Sequence, residues 1–271
     1  LYNEYSRSTK DYMVAENPCQ TSKEEKGGKK YMDWQPVYDA FDVNKNMIWL
    51  NNCGSVPAGK HVVQKVGRFL DGYAQKGIFT ETARLHEVSG RVKGVLSRLL
   101  NCDPQELALI HNTAEGMNMI SRGLSFSSGD EVVLLENEFP SNVYPWYHLE
   151  KKGVKLVTTP MASDPVNFVK QFKSVLTPKT RAVSISAVHW CTGMPIPLDP
   201  VGKICSERGI ELVVDGAQGV GMQPIDVRDL KISFMAFSAW KWLMGPLGLG
   251  VLFIDKTKLE SLKPVFIGTN S

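Results

Sequence analysis

Apolar and polar positions along the 271-residue chain follow two alternating rhythms. Seven short runs are apolar almost without interruption: "ELALIH", "EVVLLE", "VKLVTT", "RAVSISAV", "IELVVD", "ISFMAFS" and "LGVLFI". Each has the length of a strand, and continuous hydrophobicity marks strands buried on both faces. Between most of them, apolar residues recur at three- and four-residue intervals. "HVVQKVGRFLDGYA" sets Val62, Val66, Phe69 and Tyr73 at helical spacing, and "RVKGVLSRLL" does the same with Val92, Val95, Leu96 and Leu99. "NTAEGMNMISRGL" and "DPVGKICSERG" are further helix-length segments, the second ending on a capping glycine, Gly209. Strands alternating with amphipathic helices predict an α/β fold, a mostly parallel seven-stranded sheet sandwiched by helices. No helix-length segment separates the last two strands, so one antiparallel member is expected there.

Composition narrows the field. A net charge of +3 is too small to argue for nucleic acid or an anionic membrane surface. No apolar run reaches transmembrane length, and the opening "LYNEYSRSTKDYMVAENP" lacks the apolar core of a signal peptide. The five cysteines (Cys19, Cys53, Cys102, Cys191 and Cys205) are odd in number and form no CxxC pair. A disulfide framework and a zinc site are both disfavoured, no metal is expected, and a cytoplasmic protein is. Residues 1–45 read as a polar arm, with "TSKEEKGGKK" as a solvated linker. Ordered structure is expected to begin at "MIWLNNCGSVPAG", opening a large domain over 46–265.

In open α/β sheets ligands bind beyond the carboxyl ends of the strands. Four of those ends carry candidate chemistry. "ELALIH" is followed by Asn112 and Thr113, able to cap the next helix and leave its free N–H groups to a phosphate. "EVVLLE" leads into "NEFPSNVYPW", where Phe139 is either core or a platform for a flat ring. "IELVV" ends directly on Asp215, with Gln218 close behind. "ISFMAF" runs into "SAWK", and Lys241 is the one charge within "FMAFSAWKWLMGPLGLGVLF". A lone ammonium in such a run loses its charge or finds a partner. An anion cradle, a buried carboxylate, an aromatic plate and a desolvated lysine are what pyridoxal 5'-phosphate requires. The lysine forms a Schiff base with its aldehyde, and the carboxylate keeps its ring nitrogen protonated.

The motifs "HNTAEGMN", "NEFPSNVYPW", "HWCTGMPIPL", "VVDGAQGVGMQPIDV" and "SAWKWLMGPLGLGVLF" occur in the order found in class V aminotransferases of fold type I. Over residues 47–271 the chain resembles that family, which includes cysteine desulfurases, isopenicillin-N-epimerase-like enzymes and kynureninases. The resemblance implies an internal aldimine at Lys241, Asp215 as pyridinium partner, and Gln218 on the phenolic oxygen of the cofactor. It implies a phosphate cradle from Thr113, the Ala114 N–H and Ser238, with Phe139 stacked on the ring. Trp240 stands where many relatives carry a phosphate-binding histidine. Asn52 and Trp190 fall on the substrate side. The family's dimeric habit implies a homodimer whose partner reaches the phosphate site, with Thr269 at the expected contact. A smaller C-terminal domain, with its carboxylate-binding arginine, is expected beyond Ser271, so that 266–271 begin the connection to it.

Three departures bear on the reaction. Trp240 and Phe139 replace histidines, and Trp190 replaces an asparagine that desulfurases place beside the ring oxygen. They favour transamination, epimerisation or lyase chemistry on an amino acid or amine, with cysteine desulfurase or selenocysteine lyase as the alternative. A competing reading of another class is a binding protein that keeps the fold without activity; the intact set Lys241, Asp215, Gln218 and Thr113 argues against it. His61, His86 and His111 read as surface or structural histidines, His189 as a hydrogen-bonded strand-end residue, and Cys191 as a buried, inert thiol. "GPLGLG" precedes a strand and opens no helix, so it is not a dinucleotide fingerprint.

Overall fold

The computed structural model describes residues 33–78 and 82–268. All seven predicted strands form: β1 (Leu107–Ile110), β2 (Glu131–Leu135), β3 (Lys155–Thr159), β4 (Thr180–Ser186), β5 (Glu211–Asp215), β6 (Phe234–Ser238) and β7 (Gly250–Ile254). They build one sheet in the order β1-β7-β6-β5-β4-β2-β3. Strand β7 is antiparallel to both its neighbours, β1 and β6, and the other pairings are parallel. The cause is the short passage 239–249, which leaves no room for a crossover helix between β6 and β7.

Both faces are covered. On one, helices Leu85–Leu100, Pro165–Val175 and Leu198–Arg208 bring Leu100, Phe168, Phe172 and Val201 onto Leu212, Val214, Phe237 and Phe253. On the other, helix Thr113–Gly123 and the 3-10 turns of Tyr144–Lys152 press Met117, Ile120, Trp146 and Leu149 onto Val132, Val213, Ala236 and Leu252. Successive residues of β5 thus enter opposite cores, which is why its sequence is continuously apolar.

The helix Lys60–Lys76 forms where its spacing predicts, yet none of its residues is buried; Val66, Phe69 and Tyr73 remain exposed. The neighbouring helix Leu85–Leu100 buries Leu96 and Leu100 and leaves Val95 and Leu99 exposed. Regular structure begins earlier than the apolar run at Met47 suggests, with a helix over Gln35–Asp39 and a 3-10 turn over Asp42–Lys45. Pro36 sits in the first turn, Tyr38 and Asn44 exchange side-chain-to-backbone hydrogen bonds, and Lys60 N–H donates to the Ala40 carbonyl. These local bonds hold a segment whose composition reads as an arm. The linker "TSKEEKGGKK" lies outside the described residues.

A partly buried ionic cluster ties the β1–β7 end of the sheet to the rest. The Glu106 carboxylate receives Arg228 and the backbone N–H groups of Asp103 and Lys256, while Arg228 also holds Asp255. Among the described residues, no helix is long and apolar enough to cross a membrane, and no group of three His, Cys, Asp or Glu side chains is placed to hold a metal ion.

Candidate active site

Parallel strands put their carboxyl ends on one edge, and the candidate residues converge there. Strands β1 and β6 are separated at that edge by the start of β7. A Cβ on Gly250 would lie 2.9 Å from Asn112 N and 3.1 Å from the Phe237 carbonyl, so only glycine lets the chain pass between them. On the far side, Gly116 lets helix Thr113–Gly123 sit directly on Ala236. The consequence is a link across β7: Thr113 N–H donates to Ser238 Oγ at 3.1 Å, and the two hydroxyls lie 2.9 Å apart. Asn112 caps the helix by accepting from Glu115 N–H. The Ala114 N–H keeps no partner among the described residues. Two buried hydroxyls and a free helical N–H at a helix N-terminus are chemically suited to receive an anion.

Asp215 closes β5 and is 3 % exposed. Its carboxylate accepts one hydrogen bond, from Ala217 N–H at 2.9 Å. Burial, reinforced by the nearby Glu138 charge, pushes Asp215 up to about 7. Lys241 lies within electrostatic reach of it. Desolvation draws the lysine below its ordinary range, opposed by the Asp215 and Cys53 charges. Its ammonium makes no hydrogen bond or ion pair among the described residues and stands 5.4 Å from the centre of the Phe139 ring. An under-compensated carboxylate and an under-compensated amine therefore share one site.

Phe139 is partly exposed and packs edge-on against Trp190, with ring centres 5.6 Å apart. The Trp190 indole donates to the Asn137 carbonyl at 2.7 Å, so its N–H is already committed. His189 is buried, with Nε2 3.1 Å from the same carbonyl and Nδ1 3.0 Å from Thr192 Oγ1. A carbonyl only accepts, which places the ring proton on Nε2 and leaves His189 as the hydrogen-bonded structural residue expected. Cys191, by contrast, is exposed rather than buried, because it rides on the turn after β4 instead of entering the core. Sequence reading passed over Glu138. Buried at the carboxyl end of β2, it accepts from Phe139 N–H and from both the N–H and Oγ of Ser186. The signal was present, since a glutamate directly before the aromatic plate is rarely buried without a task.

Gln218 does lie at this edge, but its amide is engaged on both sides. Nε2 donates to the Cys53 carbonyl at 2.8 Å, and Oε1 accepts from the Trp242 indole at 2.8 Å. The Val56 N–H also reaches the Trp240 carbonyl, so residues 49–57 lie against the lysine turn. Asn52 belongs to this segment and lines a cavity of about 220 Å3 with Trp49, Val56 and Trp242. No indole hydrogen bond is formed by Trp240 among the described residues. Thr269 lies outside the described residues. The three surface histidines fall as expected, His111 pairing with Glu115.

A largely parallel sheet with helices on both faces and this edge of Thr113, Asp215, Ser238 and Lys241 has the fold of the large domain of PLP-dependent transferases. The structure superposes on the cysteine desulfurase CsdA of Escherichia coli with a TM-score of 0.79 at 26% identity, covering 88% of this chain and 62% of that one. Residues 48–271 match the family model "Aminotransferase class-V", and the chain belongs to that family. Among curated relatives, an uncharacterized protein of Schizosaccharomyces pombe is 29% identical over 230 residues, covering 83% of this chain and 52% of its own length. A probable cysteine desulfurase of Pyrococcus abyssi is 29% identical over 240 residues, covering 86% and 60%. The chain thus spans between half and two thirds of the length of these relatives. Those that carry a functional name are enzymes.

Proposed function

We propose that this chain is the cofactor-binding part of a pyridoxal-phosphate-dependent enzyme that acts on an amino acid or amine. The observation that carries the proposal is the pairing of Asp215 and Lys241 in one site. Asp215 is buried with a single hydrogen bond and awaits a cation, and Lys241 is desolvated toward its neutral form. A protonated pyridine nitrogen would answer the first and an aldehyde the second. When bound, the cofactor supplies that aldehyde and a ring able to take up electrons released at the neighbouring carbon.

The residues of the chain then have separate tasks. Lys241 Nζ, whose ammonium form desolvation disfavours, would hold the aldehyde end of the cofactor and would be placed to take and return a proton at the substrate carbon. Asp215 would hold a proton on the ring nitrogen through a charge-assisted hydrogen bond. Phe139 would cover one ring face, Gln218 would offer an N–H to the ring oxygen, and Thr113, Ser238 and the Ala114 N–H would receive the phosphate. Trp240 and Thr269 are assigned to the same phosphate end, and Asn52 and Trp190 to the substrate side.

Transamination, epimerisation and bond-cleaving lyase chemistry all start from this arrangement. A second reading, cysteine desulfurase, is supported by the names of the relatives, while Phe139, Trp190 and Trp240 in place of the polar residues used there favour the first. A homodimer fits the exposed apolar faces of helices Lys60–Lys76 and Leu85–Leu100. The four cysteines among the described residues are all free, which accords with the cytoplasm. The 46–265 large domain would carry the cofactor, and 266–271 would lead to a smaller domain. The test is reduction of the full-length protein, supplied with pyridoxal phosphate, by borohydride. Peptide mapping is expected to find the cofactor on Lys241; a label on another lysine, or none, overturns the assignment.

A further inference from the structure

Trp242 follows the proposed Schiff-base lysine, and its indole N–H points at Gln218 Oε1 from 2.8 Å. An indole can only donate, and the Cys53 carbonyl on the other side of the amide can only accept. The two neighbours therefore fix the amide in one orientation, which an amide between ordinary hydroxyls would not have. Nε2 must face Cys53, and one of its two hydrogens remains uncommitted. Trp242 also lines the cavity that Trp49, Asn52, Val56 and Pro57 border.

From this chain of donors and acceptors we infer that Trp242 is a positioning residue. It orients the Gln218 amide so that residues 49–57 are clamped over the lysine turn and an N–H, not a carbonyl, is kept available to the site. The second half of the inference rests on the function proposed above; the clamp itself does not. Three parts of the chain far apart in sequence meet here, since Gln218 and Cys53 are 165 positions apart. Without the indole, nothing on that side distinguishes the two ends of the amide. A flipped amide would set its oxygen against the Cys53 carbonyl, two acceptors facing each other.

Hydrogen exchange of the full-length protein, read by mass spectrometry over 49–57, tests the clamp with two variants. Trp242→Phe keeps most of the ring and removes the donor. Gln218→Glu leaves the indole its acceptor but turns an oxygen toward Cys53. Each is expected to speed exchange in 49–57 by about fivefold, the scale of one neutral hydrogen bond, while β6 and β7 stay protected. The double variant is expected to exchange no faster than the single ones, because both break one chain of contacts. A purely packing role for Trp242 predicts additive effects in the double variant, because the Gln218–Cys53 bond would then be lost independently of the indole; that result, or wild-type exchange in Gln218→Glu, overturns the proposal. Pyridoxal phosphate titrated by fluorescence supplies the second readout, with weaker binding expected in both variants. Unchanged binding with a loosened segment refutes the donor half alone. Absence of binding in the wild type instead refutes the function proposed above, and leaves the exchange result standing.

Discussion

Replacing Asp215 by asparagine is expected to make the cofactor-free protein more stable, and only above mildly acidic pH. The carboxyl is buried, keeps one backbone hydrogen bond, and has its titration raised from 3.8 to about 7. In the folded state it therefore holds its proton over a range in which the unfolded chain has released it. Folding stability tied to this group is complete below pH 3.8 and is lost as pH rises through about 7. At about 1.4 kcal/mol per pH unit, that span amounts to a cost of about 4 kcal/mol at neutral pH and above. The amide of the Asp215→Asn variant would keep an oxygen for the Ala217 N–H and would not ionise. Urea denaturation of the full-length cofactor-free protein and of Asp215→Asn, at about pH 4 and about pH 8, measures the difference. The variant should gain little at the lower pH and up to about 4 kcal/mol at the higher one. An equal gain at both values would show that Asp215 is not held protonated, and the argument for its buried charge would fail. Pyridoxal phosphate should reverse the order, since a ring cation compensates the carboxylate and not the amide.

Other changes probe the surroundings. Lys241→Ala should abolish borohydride-stable cofactor while leaving thermal unfolding no lower than wild type, because a desolvated amine without a partner is removed; scanning calorimetry and mass spectrometry read the two effects. Glu138→Ala strands the Phe139 N–H and both Ser186 donors, and should cost about 3 kcal/mol in denaturant unfolding. Arg228→Ala leaves the Glu106 carboxylate buried without its cation and should cost about 3–5 kcal/mol, with the loss visible as a lower thermal midpoint.

Strands and helices could be read directly because burial on both faces leaves an unbroken apolar run, and seven such runs became seven strands. Asp215 and Lys241 were legible for a related reason: a charge at the end of, or inside, an apolar stretch has few structural uses. The partners of Gln218 were not. Cys53 contributes a backbone carbonyl, which no side-chain pattern announces, and Trp242 looked like one more apolar residue in an apolar run. The stripe on Lys60–Lys76 announced a helix correctly and could not announce its exposed apolar face, since periodicity states that a face is apolar and not what covers it. Cys191 shows the same limit, because its burial depended on where a turn points.

Strand β1 reaches the sheet only through β7, and Thr113 meets Ser238 across the first residue of that same strand. During synthesis the first strand must therefore wait, more than a hundred residues, for Gly250–Ile254 to emerge before it has its sheet neighbour, and the helix after it waits for Ala236 of β6. The anion cradle is accordingly among the last features to exist. A chain interrupted before β7 would hold every residue of the cradle and still have no cradle, so retention of a phosphate there doubles as a report that the domain has closed.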